Sequence, residues 1–196
     1  MREQVQPKSW RRLLRVSVRG LVVLVLAIGA WLGWIVRRAQ VQRDAVAAIQ
    51  KIDGTVKYDL ERKDGLSIPN GQPWGPRWLV DRIGIDYFGH VTQVRLVATH
   101  QLSDTELTHI SRLSRLEELD LHRSPVTDAG LAHVEGLTDL RSLHLYHTAV
   151  SDTGLLHLRA LGRLRNLSIE NTKVTDAGVQ ELRQAIPNLK DRKSVV

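Results

Sequence analysis

LEELDLHRSPVTDAGLAHVEGLTD, residues 116–139, returns with few changes as LRSLHLYHTAVSDTGLLHLRALGR at 140–163 and as LRNLSIENTKVTDAGVQELRQAIPN at 164–188. A weaker copy, VTQVRLVATHQLSDTELTHISRLSR, precedes them at 91–115. Asp104, Asp128, Asp152 and Asp176 mark the spacing, 24 residues from each to the next. Half the chain is therefore one phrase written four times, and the meaning of every other residue depends on its place in that phrase.

Each full copy opens on LxxLxL, and the period lies within the roughly 20–29 residues of a leucine-rich repeat, whose strand carries that motif. The expected fold is α/β: a short leucine-rich-repeat solenoid of about four repeats over 91–189, with parallel strands on the concave side and short helices on the convex side. Four units exceed the minimum of about three that such a stack needs. Leu116, Leu119, Leu121 and their copies Leu140, Leu143, Leu145, Leu164, Leu167 and Ile169 belong to the core, joined by Val126, Val150 and Val174. Thr99, Ser124, Thr148 and Thr172 stand eight residues after the first apolar position, where a hydroxyl can serve backbone groups as the chain leaves the strand. Ser103, Thr127, Ser151 and Thr175 are expected helix N-caps, and the aspartates that follow suit the positive end of the helix dipole. Ser103 with Glu106 has the spacing of a capping box. A calcium or catalytic ladder is the competing reading of the aspartates, but four helix starts account for them without a ligand. Gly130, Gly154 and Gly178, beside those starts, allow close packing between coils.

The net charge of +7 suggests a nucleic-acid partner until it is divided along the chain. Residues 1–19 carry six basic side chains against Glu3, and Arg37, Arg38, Arg43 and Lys51 stand against Asp44. From Ile52 onward there are 18 basic and 19 acidic residues. The repeats thus lack the basic surface that phosphate-backbone binding needs, and no nucleic-acid partner is expected. Cysteine is absent, which excludes a disulfide framework and a thiolate metal site.

The basic residues flank GLVVLVLAIGAWLGWIV, residues 20–36, which holds no charge. Seventeen residues at about 1.5 Å each reach about 25 Å, the short end of a bilayer span. Trp10, Trp31 and Trp34 suit interfacial anchoring. A cleavable signal peptide is the alternative, with Ala27 and Gly29 as small residues near a cut, although Trp31 and Trp34 fit poorly just past one. A buried soluble helix is the third reading. Six basic residues before the segment and four soon after it favour a cytoplasmic amino terminus and an extracytoplasmic repeat domain.

The division that follows is a basic tail over 1–19, a transmembrane helix over 20–36 and a helical stalk over 37–52, where Val41, Ala45, Val46, Ala48, Ile49 and Ile52 keep a helical period. Residues 53–90 form an amino-terminal cap that covers the open edge of the first repeat. Within it Val56, Tyr58 and Leu60 alternate as a strand, 62–75 read as loop, and 76–85 as a short apolar helix. A pocket around Trp74, Trp78 and Tyr87 is a secondary possibility. Pro187 and Leu189 begin a partial fifth turn, and residues 190–196 are expected to fray.

VTDAGLAHVEGLTDLRSLHL and VTDAGVQELRQAIPNLK, behind a basic, Trp-containing apolar segment, resemble bacterial membrane-anchored leucine-rich-repeat proteins of the kind labelled internalin-like. The unit is also similar to the cysteine-containing repeat of F-box proteins, with Thr in place of the cysteine, though no F-box-like helical module precedes it. The resemblance implies a curved binding surface and carries over no catalytic residue.

Among the residues between the leucines, Arg95, Glu118, Asp120, His122, His144 and Tyr146 are the expected partner-binding set, a mixed polar face suited to a peptide or protein loop. Asp120, His122 and His144, carboxylate and imidazoles on adjacent strands, can converge as metal ligands, but an ordinary solvated strand face is commoner. His109, His133 and His157 repeat on the convex side as surface decoration. No nucleophile elbow, phosphate loop, HExxH or dinucleotide fingerprint occurs, so neither an enzyme nor a cofactor is expected. The functional expectation is a membrane-anchored protein- or peptide-binding module; a self-associating envelope-organising protein and a secreted repeat protein are the alternatives.

Overall fold

A computed structural model of the chain describes residues 18–59, 62–63, 66–67, 77–97 and 102–192. By contacts the chain divides into two units, residues 1–37 and 38–196. In the first, residues 20–36 are almost wholly exposed and helical. They belong to α1, Val18–Lys51, the one helix among the described residues long and apolar enough to cross a membrane, with a mean hydropathy of 2.1 in its most apolar window.

The second unit is built on a six-stranded sheet. β1 (Thr55–Tyr58) runs antiparallel to β4 (Val91–Arg95). From β4 onward every pairing is parallel, through β5 (Glu118–Asp120), β6 (Ser142–His144), β7 (Asn166–Ser168) and β8 (Lys190–Arg192). Between successive strands the chain turns back through α3 (Leu107–Ile110), α4 (Asp128–Leu131), α5 (Asp152–Leu155) and α6 (Asp176–Ala185), α4 and α5 each running on into a short 3-10 turn. The middle residues Val94, Leu119, Leu143 and Leu167 stand in register and are buried, with Leu116, Leu140 and Leu164 beneath them. Alternation along each strand then leaves the flanking side chains on the opposite face of the sheet.

The strand exits follow the hydroxyl expectation. Ser124 donates to the Leu121 carbonyl, Thr148 to Leu145 at 2.6 Å and Thr172 to Ile169 at 2.8 Å. Thr99 lies outside the described residues. Just before each of these hydroxyls, Arg123, His147 and Asn171 take φ of 55°, 57° and 53°. Asn171 and His147 are of residue types enriched in this region and Arg123 is not, so no single residue type marks the repeated left-handed turn in the sequence.

The aspartates do more than start helices. Asp104 accepts from the Thr127 N–H at 3.1 Å and the Thr127 hydroxyl at 2.6 Å. Asp128 accepts the same pair from Ser151, at 2.7 and 2.5 Å, and Asp152 from Thr175, at 2.7 and 2.6 Å. Each carboxylate therefore ties its own coil to the cap residue of the next. The Thr175 hydroxyl also accepts from the Gly178 N–H at 3.2 Å, and Ser151 accepts from Thr153, so one hydroxyl caps its helix and binds the previous aspartate. A Cβ built on Gly130, Gly154 or Gly178 would stand 2.3, 2.4 or 2.1 Å from an oxygen of Asp104, Asp128 or Asp152, which is why glycine recurs there.

The first copy departs from this pattern. Its helix α3 begins at Leu107, and Asp104 lies in the turn before it. There the Ser103 N–H donates to Glu106 Oε2 at 2.8 Å, and the Ser103 hydroxyl binds the same carboxylate. That hydroxyl bond is the main reason the Glu106 carboxyl is held below its ordinary 4.5. A depressed folded-state value gives stability that is complete above the ordinary glutamate value and disappears as pH falls through the folded one. The stability difference between the natural chain and Glu106→Gln should therefore be constant near neutral pH and shrink below pH 4.5. Urea titrations at several pH values measure it, and a difference independent of pH would refute the capping-box account.

The segment expected as a stalk is part of the core. Ala45, Val46, Ile49 and Ile52 are buried in one cluster with Val91, Val94 and Leu96, because the helical period places them on one face of α1. Asp86, after α2 (Arg77–Ile83), accepts from Gln42 at 3.1 Å and Tyr58 at 2.9 Å and pairs with Arg43 at 3.7 Å, tying helix and cap together. At the end of α1, Gly54 admits no side chain, since a Cβ would lie 2.7 Å from the Ile49 carbonyl and 2.4 Å from Leu96.

Two further expectations are corrected. Residues 62–75, read as loop, contain a short antiparallel pair, β2 (Arg62–Lys63) with β3 (Leu66–Ser67). Residues 190–192, expected to fray, form β8, whose Lys190 N–H donates to the Arg165 carbonyl at 2.6 Å above a buried Leu189. Residues 193–196 lie outside the described set, as do Leu60 and most of the 62–75 segment.

Candidate binding groove on the open sheet face

The side chains between the leucines stack in columns fixed by the parallel register. Gln93, Glu118, Ser142 and Asn166 share the first column, and Arg95, Asp120, His144 and Ser168 the second. Neighbours within a column bond to each other: Gln93 Nε2 to Glu118 at 2.9 Å, Asn166 Nδ2 to Ser142 at 3.1 Å, and His144 Nδ1 with the Ser168 hydroxyl at 3.1 Å. The second column, with Glu118, Tyr146 and Glu170, lines a groove of about 430 Å³.

Asp120 is the fixed point of this face. It is only 4% exposed, which for a carboxylate requires full compensation. Arg95 Nε lies 3.4 Å from one oxygen, while the other meets His122 Nδ1 at 2.6 Å and the His122 N–H at 3.3 Å. His122 then stacks on Tyr146, centroids 4.3 Å apart and rings 11° from parallel. A chain of contacts thus runs Arg95, Asp120, His122, Tyr146 across three coils and holds the tyrosine ring in one orientation.

Five of the six expected site residues, Arg95, Glu118, Asp120, His144 and Tyr146, line the groove. His122 does not; it orients Tyr146 and Asp120 from beside it. Ser168 and Glu170 complete the lining. Ser168 belongs to the second column and Glu170 stands in line with His122 and Tyr146; strand alternation places both on this face, and neither residue type marks it as part of a binding set. His144 turns to Ser168 and His122 to Asp120, so the imidazoles do not converge on one point as the metal reading required. The groove can donate, through Arg95 and His144, accept, through Glu118 and Glu170, and offer one aromatic face.

The other positions weighed in the sequence are dispersed. Trp78 is 68% exposed, Tyr87 has the Arg43 guanidinium 5.7 Å from its ring centroid, and Trp74 lies outside the described residues. On the helix side His157 Nδ1 is 3.7 Å from Glu135.

No protein-family model matches the chain, and no curated protein does. Among solved structures it is similar to internalin C2 of Listeria monocytogenes, at 27% identity and a TM-score of 0.37, over 45% of this chain and 39% of that one. Internalin F of the same organism is similar at 14% identity and a TM-score of 0.34, over 46% and 31% of the two chains. PEPR1 in its complex with AtPEP1 is similar at 14% identity and a TM-score of 0.32, over 53% and 19%. The chain therefore spans less than two fifths of each of these neighbours.

Proposed function

We propose that this protein is a membrane-anchored binding module that presents the concave face of a small leucine-rich-repeat solenoid to a protein or peptide. Residues 20–36 are the single span, the basic tail is cytoplasmic, and the repeats are extracytoplasmic. The observation that carries the reading is the groove itself, a polar surface of about 430 Å³ built by four coils from the positions that the repeated leucines leave variable. Bonds within each column hold its side chains in place before a partner arrives, which lowers the ordering cost of binding.

Proximity labelling in the native membrane tests the reading. His144→Ala with Tyr146→Ala leaves the Asp120 pairings intact and should remove specific proteins from the labelled set; an unchanged set, with the variant folded by circular dichroism, rejects it. Crosslinking that yields only products of the chain with itself would instead support the envelope-organising alternative. Intact mass of the mature protein distinguishes an uncleaved anchor from a processed signal peptide.

A further inference from the structure

The groove on the open face is unbalanced in charge. Its lining holds one cation, Arg95, against three carboxylates, Glu118, Asp120 and Glu170, with His144 counted neutral. Resting on the reading of this groove as a protein- or peptide-binding surface, we propose that its partner is cationic, an extended segment that brings arginine side chains to Glu118 and to the ring of Tyr146.

The three carboxylates differ in what answers them. Asp120 has Arg95 at 3.4 Å and His122 at 2.6 Å, so the lining cation is already engaged there. Arg192 follows Ser168 in the second column, and setting it against Glu170 still leaves one carboxylate in excess. That one is Glu118. It accepts from the neutral Gln93 amide at 2.9 Å and, among the described residues, has no cation within ion-pair distance. Lys190 stands in the same column three coils away, about 14 Å at the spacing of parallel strands.

Tyr146 supplies a second point of contact of a different kind. The His122 ring covers one of its faces at 4.3 Å, and the near-parallel stack turns the other toward the next coil. There the His147 N–H donates to the Glu170 carbonyl at 2.8 Å, which sets Glu170 beside Tyr146. A guanidinium laid on the outer face continues the stack and gains the attraction between a cation and an aromatic ring, with a carboxylate at its edge. Lysine matches the charge but not the planar stacking.

Glu118 and Tyr146 lie four positions apart along the strand direction and one coil apart, about 14 Å in all. A single metal ion cannot reach both. An extended chain advances about 3.3 Å per residue, so side chains four residues apart on it fit the two points.

Random dodecapeptides selected on the full-length protein in phosphatidylcholine nanodiscs, after removal of those that bind empty nanodiscs, test the assignment. The chain as a whole carries +7, so non-specific attraction works against the expected result. Arginine should be enriched over aspartate and glutamate in the selected peptides. Replacing the arginines of the tightest peptide by citrulline, which keeps the shape and removes the charge, should weaken binding at least tenfold by fluorescence anisotropy. Glu118→Gln, which can still accept from Gln93, should weaken it about tenfold. Glu181→Gln, which removes the same charge from the helix side, should change nothing. Enrichment of acidic or uncharged peptides, full affinity of the citrulline peptide, or full affinity of the Glu118→Gln protein overturns the proposal. If such acidic or uncharged peptides are lost with His144→Ala and Tyr146→Ala, the groove stands as a peptide site and only its charge preference falls. No selected peptide, together with an unchanged labelled set for that double variant, overturns both.

Discussion

Gly178→Ala should destabilise the protein by about 3 kcal/mol, the scale of two charge-assisted hydrogen bonds lost less a helix-propensity gain of about 1 kcal/mol. The new Cβ would stand 2.1 Å from Asp152 Oδ1 and 2.4 Å from its Cγ, so the carboxylate must leave. It cannot do so without giving up the N–H and hydroxyl of Thr175. Because the damage passes through Asp152, removing that side chain first should remove most of it. Asp152→Ala alone loses the same two bonds without the helix-propensity gain and is expected to cost about 4 kcal/mol. In that background Gly178→Ala should cost about 1 kcal/mol or less, because only the 3.0 Å approach of the Asp152 Cβ remains. Denaturant titration of the four chains gives the cycle, and costs that simply add would show that the glycine and the aspartate are unrelated.

Leu143→Ala should cost about 2–5 kcal/mol, the range for a fully buried leucine in a core that relaxes only partly. Leu143 is the middle residue of β6 and stands in register with Leu119 on one side and Leu167 on the other, so the cavity opens between two neighbours that are themselves fixed. Leu189, 6% exposed before the edge strand β8, should cost less on the same substitution, at the low end of that range, about 2 kcal/mol. Hydrogen exchange localises the two effects: Leu143→Ala should accelerate exchange across β5 to β7, and Leu189→Ala only at β7 and β8. Equal costs and equally global exchange would mean that the coils unfold as one indivisible body.

What the sequence revealed and what it hid divide along a physical line. Periodic features were legible because a column of identical residues has one explanation for all its members. The leucine core, the strand-exit hydroxyls and the glycines at the helix starts fall in this class. The aspartates were placed correctly but given half their role, since a helix start accounts for an aspartate and conceals that Thr127, Ser151 and Thr175 of the following coil bind it. Features that depend on a meeting between distant segments were hidden. Nothing in the period of Ala45, Val46 and Ile49 says whether the helix stands in solvent or lies on Val91 and Val94, as it does. The groove is marked in the sequence by its histidines and tyrosine; Ser168 and Glu170 fall on the same face by strand alternation, but only the register sets them beside His144 and Tyr146 as part of its lining.

The bonds from each aspartate to the following Ser or Thr also bear on how such a chain can change in length. A unit carries an acceptor for the coil after it and a donor for the coil before it, so a tandem duplication of 24 residues would join at both ends with no new contact to be found. An insertion of any other size would set an aspartate opposite the wrong residue. Growth is thereby restricted to whole units, each adding one strand and widening the open face by about 4.8 Å, and a lineage of such chains should differ in reach by steps rather than by degrees.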